Sequence, residues 1–176
     1  MLSAIQGFVK GILDGLPSPQ LQPMQAVIMP PVDADAASSP IAYIWAGAFS
    51  MKRTSAPRPV AWQNIAWRID IGVISAFEID DANIETAFPL LLDSIVARTA
   101  TWTPMPFTLI DPVTGFPTQI TSLGEAVTGE YARINTTSSS GQGLIQFGAD
   151  IRLAVTEKVS FPPGSYYNHP DSTGGG

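Results

Sequence analysis

Two stretches of the chain alternate apolar with small or polar residues at a period of two, over lengths that suit a β-strand. In the first, Ile65, Trp67, Ile69, Ile71, Val73 and Phe77 alternate with Ala66, Arg68, Asp70, Gly72 and Ala76. In the second, Ile145, Phe147, Ala149, Ile151, Leu153 and Val155 form one parity of residues 144–156. Successive side chains of a strand point to opposite faces, so each stretch has one face made for a core. A sheet with an apolar face must cover it, and helices of the same chain are the first candidates.

Residues 2–16 supply one such helix. Leu2, Ile5, Val9, Ile12 and Leu16 recur at steps of three and four and share a face. Gly7, Gly11 and Gly15 lie four apart on another face, a pattern that suits close packing on a sheet or on a neighbouring subunit. Pro17 and Pro19 stop the helix. A second helix is predicted over 80–100, with Ile84, Phe88, Leu91, Leu92, Ile95 and Val96 on its stripe. Asp80, Asp81 and Glu85 near its start and Arg98 near its end match the helix dipole. Pro89 removes one backbone bond and bends this helix, unless the regular part begins there.

The rest is strand and turn. A short apolar run from Gln25 to Met29 ends at Pro30-Pro31, and residues 32–40 form a small acidic loop. Ile41, Tyr43, Trp45, Gly47 and Phe49 alternate with Ala42, Ile44, Ala46 and Ala48, a strand with a bulky face and a thin one. A turn falls at Asp111-Pro112-Val113-Thr114-Gly115. Residues 124–136 alternate weakly, and the Ser-rich break TTSSSGQG after them suits a hairpin. The expected fold is α+β: a single domain over residues 1–159, with an antiparallel sheet on which an N-terminal helix and one central helix pack. Residues 160–176 read as an extended C-terminal tail. Pro162, Pro163 and Gly164 prevent regular structure there, so a neighbouring chain is expected to hold it. Tyr166 and Tyr167 are its natural anchors, and folding back on its own domain is the alternative.

Composition adds one constraint. Of 176 residues, 45% are hydrophobic and only 14% are charged, where a soluble domain carries about 25% charged residues. Mean hydropathy is +0.17, yet no stretch approaches the roughly 18 uncharged apolar residues of a membrane span. Surface covered by other protein chains accounts for both. The net charge of −6 argues against a general nucleic-acid binder, which needs a basic face to displace counterions. The chain has no Cys, which removes disulfides, thiolate catalysis and thiolate metal sites together. The N-terminal pattern is amphipathic, not basic and then apolar, so cytosolic synthesis is expected.

Catalytic chemistry is not expected. His169 is the one His, and it lies in the irregular tail, where a general base or a Ser-His-Asp triad would lack a scaffold. Glu78, Asp80, Asp81 and Glu85 are explained by a helix start that welcomes negative charge. Asp33 and Asp35 resemble the opening of a calcium loop but lack its Gly and closing Glu. No glycine-rich phosphate loop with a Lys occurs. No catalytic, cofactor-binding or metal-ligating residue is therefore assigned, and no cofactor is implied. Asn135-Thr136-Thr137 has the form of a glycosylation acceptor, which means little without a secretion signal.

Lys52, Arg53 and Arg58 gather three of the nine basic residues in the 51–60 loop. That loop is either a solvated hairpin tip or a contact with an acidic neighbour or with passing DNA phosphate; three cations are too few for strong phosphate binding on a chain of net charge −6, so an assembly contact is expected. Arg68 with Asp70, and Asp150 with Arg152, put opposite charges on two apolar strands and would favour one register if those strands are adjacent.

In order and pattern the chain resembles the tail-terminator family of long-tailed bacteriophages and related neck proteins. The likeness lies in the helix LSAIQGFVKGILDGL, the strand ending in Pro-Pro, the strand AWRIDIGVISAF, the helix DDANIETAFPLLLDSIVARTA, the DPVTG turn and the strand LIQFGADIRLAVTEK. It covers most of residues 1–159 and contains no single diagnostic motif. The resemblance implies a structural virion protein without catalytic residues. It implies a homo-oligomeric ring, commonly a hexamer, that caps the tail tube and joins it to the head. Tail-tube and neck or connector proteins would be its neighbours, with DNA passing through unread and no membrane involved. Such a protein is assembled in the host cytoplasm and resides in the virion. Lys52, Arg53, Arg58, Tyr166 and Tyr167 are the expected assembly contacts. A head-to-tail connector or stopper is the nearest alternative. A monomeric α+β ligand-binding domain with an internal pocket, or a small hydrolase using carboxylates alone, is a reading of a different class.

Overall fold

The computed structural model of the chain describes residues 2–17, 21–30, 40–53, 61–78, 83–100, 106–112, 115, 117–137 and 143–161. Along them run α1 (Leu2–Leu13), β1 (Gln25–Val27), β2 (Ile41–Arg53), β3 (Ala61–Glu78), α2 (Ile84–Ala100), β4 (Phe107–Ile110), β5 (Pro117–Thr137) and β6 (Gly143–Phe161). The strands form one six-stranded sheet in the order β1-β2-β3-β6-β5-β4. Two helices and one sheet make an α+β domain, as the patterning required.

The two strongly alternating strands are neighbours at its centre. All 18 residues of β3 pair antiparallel with β6, from Ala61↔Phe161 to Glu78↔Leu144. This register sets Ile65, Ile69, Ile71, Val73 and Phe77 beside Glu157, Leu153, Ile151, Ala149 and Ile145 on one face. All of these side chains are buried. Val9, Ile12 and Leu13 of α1 and Phe88, Leu91 and Ile95 of α2 join them in one core. Phe147 is its centre, stacked on Phe88 at 5.4 Å and edge-on to Phe77 at 5.5 Å. Of the residues expected to form the core, Ile65 is buried but stands apart from this cluster, Trp67 and Leu92 are only partly buried at its margin, and the others are found in it.

The sheet is mixed, which corrects the expectation of an antiparallel one. β1 lies parallel to β2, with Gln25↔Ile41 and Val27↔Tyr43, and the Gln25 N–H donates to the Pro40 carbonyl at 3.0 Å. A parallel pair needs a long connection, and residues 28–40 provide one of about the required dozen. The remaining pairs are antiparallel.

Both helices differ from their expected bounds for local reasons. α1 ends at Leu13 because Gly15 adopts φ of 73°, a left-handed cap that only glycine takes without strain. The Gly15 N–H donates to Met24 O at 2.8 Å, which turns the chain toward β1. Gly7 and Gly11 meet nothing within 4 Å of a built Cβ, so their row is not packed closely on this chain's own sheet. α2 starts at Ile84, with the Asn83 carbonyl receiving the Ala87 N–H at 2.9 Å, so Pro89 lies inside the helix. Pro89 leaves the Glu85 carbonyl without its helical donor, and the residue faces solvent. Val96, expected on the buried stripe, is exposed, and Thr99 is buried instead, its hydroxyl donating to Ile95 O at 3.0 Å. Arg133 of β5 ties down the start of α2 by donating to Glu85, with its guanidinium 5.8 Å from the Phe147 ring centroid.

β4 is a strand that the sequence pattern did not reveal. It forms a hairpin with β5 around the expected turn, where the Gly115 N–H donates to Asp111 O at 2.8 Å and Gly115 takes φ of 70°. Asp111 is buried and accepts from the Ser3 hydroxyl at 3.2 Å. It thus brings a carboxylate to the N-terminal turn of α1, which has no acid of its own.

Candidate assembly surface

β2 changes character at Gly47. The register skips from Ala46↔Ile69 to Ala48↔Arg68, so one extra residue bulges out of the ladder. Before the bulge Ala42 and Ile44 point into the core, and Tyr43 and Trp45 lie on the opposite face. After it the parity inverts. Phe49 stands beside Trp67 on the helix-bearing side, ring centroids 5.4 Å apart. The single bulky face suggested by alternation is therefore split between two sides. The missing side chain at Gly47 leaves room for the Arg68–Asp70 pair: a Cβ there would stand 2.0 Å from Asp70 Oδ2 and 2.5 Å from Arg68 Nε, and those side-chain ends would have to move aside. Arg68 holds Asp70 in that space, Nη2 donating to Oδ2 at 3.0 Å. Arg68 Nε stands 2.9 Å from Oδ1 as an ion contact without hydrogen-bond alignment.

Beyond Tyr43, β2 has no strand on its outer edge among the described residues, because β1 covers only Ile41 to Tyr43. That open edge is apolar. Phe49 is 65% exposed and Met51 53%, while Ile28 and Met29, which follow β1, are 45% and 41% exposed. Four of the seven exposed large hydrophobic side chains among the described residues thus gather at one end of the sheet. Edges of this kind are the usual sites of strand addition from another chain.

The expected assembly contacts meet this surface in part. Lys52 and Arg53 are not in a loop: they are the last residues of β2, paired with Asn64 and Gln63, and Lys52 is exposed. A strand runs this far because β3 extends back to Ala61 and offers it partners. Arg58, Tyr166, Tyr167 and His169 lie outside the described residues, as do Asp33, Asp35, Asp80 and Asp81. β3 and β6 do place Asp70 opposite Arg152, as opposite charges on neighbouring strands would favour. The close ion pair nevertheless runs along β3, from Arg68 to Asp70.

One buried acidic residue was missed in the sequence. Glu157 is fully buried. Its Oε1 accepts from Trp67 Nε1 and its Oε2 from Thr118 Oγ1, both at 2.7 Å. One carboxylate therefore links β3, β6 and β5 across the core face. Both oxygens are engaged by neutral donors, which suits a structural tie. Parity could have found it, since Glu157 continues the series from Ile145 to Val155 on the buried side. The tie made by Asp14 was not read from the sequence either. Lys10 Nζ at 2.7 Å, and secondarily the Ala26 N–H at 3.1 Å, hold its carboxyl below the ordinary range. This fastens the end of α1 to β1.

Among the described residues, no three His, Cys, Asp or Glu side chains are grouped to hold a metal ion. No described helix is long and apolar enough to cross a membrane. Compared with models of known protein families and with curated proteins, the sequence finds no match.

Proposed function

We propose that this chain is a structural subunit of a larger protein assembly, specifically a ring-forming tail-terminator or neck protein of a long-tailed bacteriophage. The carrying observation is the open edge at β1 and β2, along which Phe49, Met51, Ile28 and Met29 are exposed, in a chain with only 14% charged residues. Such a surface is costly in water and is put to use when another chain covers it. The phage assignment is supported by the sequence resemblance, and the order of elements described above is compatible with it. In this reading the subunits close into a ring, commonly a hexamer, between the tail tube and the head or connector. DNA passes through without being read, consistent with a net charge of −6. The protein performs no catalysis, is assembled in the host cytoplasm and resides in the neck of the virion. Lys52 and Arg53, with Arg58, Tyr166 and Tyr167, contribute to its contacts.

Native mass spectrometry and light scattering of the purified chain test this. A closed oligomer, alone or with its tail-tube partner, is the expected result. A chain that stays monomeric at high concentration, with no partner in its native assembly, would overturn the reading.

A further inference from the structure

We propose that the two open edges of the sheet are the two halves of one interface, β2 of one copy adding to β5 of the next. This rests on the assembly reading and deepens it by naming the surfaces that meet. β4 covers only Pro117 to Ile120 of β5, so Thr121 to Thr137 has no outer strand partner among the described residues. The sheet therefore has a second long edge, opposite that of β2.

Three properties make the edges fit. The first is direction: β2, β3, β6 and β5 alternate, so β2 and β5 run oppositely. Two copies in the same orientation would join β5 to β2 antiparallel, extending the pairing already inside each sheet. The second is extent. β1 stops at Tyr43 on one edge and β4 stops at Ile120 on the other. With the end of β5 at Thr137 set against the β1 stop, Ile44 stands opposite Thr137. An antiparallel ladder then carries Lys52 close to Gly129, shifted one place by the Gly47 bulge. The third is charge. From Ile44 to Arg53 the β2 edge carries Lys52 and Arg53 and no acid. From Thr121 to Thr137 the β5 edge carries Glu125 and Glu130, and its one base, Arg133, is already paired with Glu85. The same ladder, with that one-place shift, sets Lys52 beside Glu130, both exposed.

Self-pairing of β2 would offer its basic residues no acid, because the stretch from Ile44 to Arg53 carries none. A basic edge strand resists indiscriminate pairing, and an acidic partner edge selects the right one. Because each copy offers one edge of each kind, the contact is head-to-tail and closes into a ring when the rotation permits.

The test is charge reversal and rescue in the full-length chain, read by light scattering and native mass spectrometry, with circular dichroism confirming the fold. Lys52→Glu with Arg53→Glu, and separately Glu125→Lys with Glu130→Lys, should each weaken self-association roughly a hundredfold. The fourfold variant, with both edges reversed, should return to within about tenfold of the original. If a reversal disturbs the fold, a double-mutant cycle of Lys52→Ala and Glu130→Ala, both exposed, supplies the coupling instead. Oligomers that form normally in the reversed variants, a fourfold variant no better than its parents, or a β2–β2 dimer indifferent to Glu130 would overturn the pairing alone. A monomeric unaltered chain would overturn the assembly reading with it.

Discussion

Glu157 offers the sharpest check on how the core is held. It is fully buried, with the Trp67 indole and the Thr118 hydroxyl each 2.7 Å from one of its oxygens. Hydrogen bonds to a charged group contribute about 1.5–3 kcal/mol each, and an orphaned buried donor costs about 1–3 kcal/mol. Glu157→Gln keeps the shape. Its amide oxygen can accept from the indole and its amide nitrogen can donate to Thr118, whose hydroxyl rotates. The cost should be about 1 kcal/mol. Glu157→Leu orphans both donors, a loss of roughly 2–6 kcal/mol, against a gain of roughly 1.5–3 kcal/mol from the buried leucine. A net cost near 2 kcal/mol is expected. The bond itself is isolated by a double-mutant cycle with Trp67→Phe, which removes the indole N–H and keeps an aromatic ring. Urea denaturation followed by far-UV circular dichroism should give a coupling of about 1.5–3 kcal/mol between the two sites. Additivity within about 0.5 kcal/mol, or a leucine variant as stable as the original, would refute the role of the carboxylate as a tie.

Ser75 is fully buried and its hydroxyl has no partner among the described residues, so Ser75→Ala should stabilise the chain by about 1 kcal/mol in the same denaturation assay. Leu91→Ala should cost about 2–5 kcal/mol because the site is fully enclosed. Leu92→Ala should cost clearly less, because Leu92 sits at the margin of the core; equal losses would mean that α2 is turned differently on the sheet. The depressed carboxyl of Asp14 favours the folded state above its unfolded value of 3.8, and that contribution is lost as pH falls through the lower folded value. Asp14→Asn should therefore flatten the acid limb of a stability–pH curve, and an unchanged limb would discount the contact.

Much of this was legible in the sequence, and the illegible parts have physical reasons. β3 and β6 declared themselves because long strands with one buried face keep strict parity. β4 did not, since FTLI is too short to show a period between Pro106 and the Asp111 turn. The Gly47 bulge was invisible because Gly47 holds a place in the bulky alternation between Trp45 and Phe49, so the inversion at Phe49 appeared only once β2 was set against β3. Val96 was placed inside because an apolar stripe does not state its own width. Glu157 was passed over because its type argued for solvent while its position argued for the core. The open edges could not be read at all. Which strands are neighbours is a non-local fact, and Lys52 and Arg53 looked like loop residues until their partners were known.

The central ladder also sets the order in which the molecule can be built. β2 with β3 and β5 with β6 are hairpins of neighbouring segments, but β3 meets β6 across the whole span that holds α2, β4 and β5. The first two pairings close short loops, whereas the third must bring distant chain together and is the entropically slow step. During synthesis β3 emerges long before β6. Until the last strand has left the ribosome, Ile65, Ile69, Ile71 and Val73 present an apolar face beside an unpaired backbone. This interval is when the chain is most prone to aggregate. Lower temperature, which weakens association through apolar surface, should raise its soluble yield, and truncation within β6 should leave an aggregating fragment instead of a smaller domain.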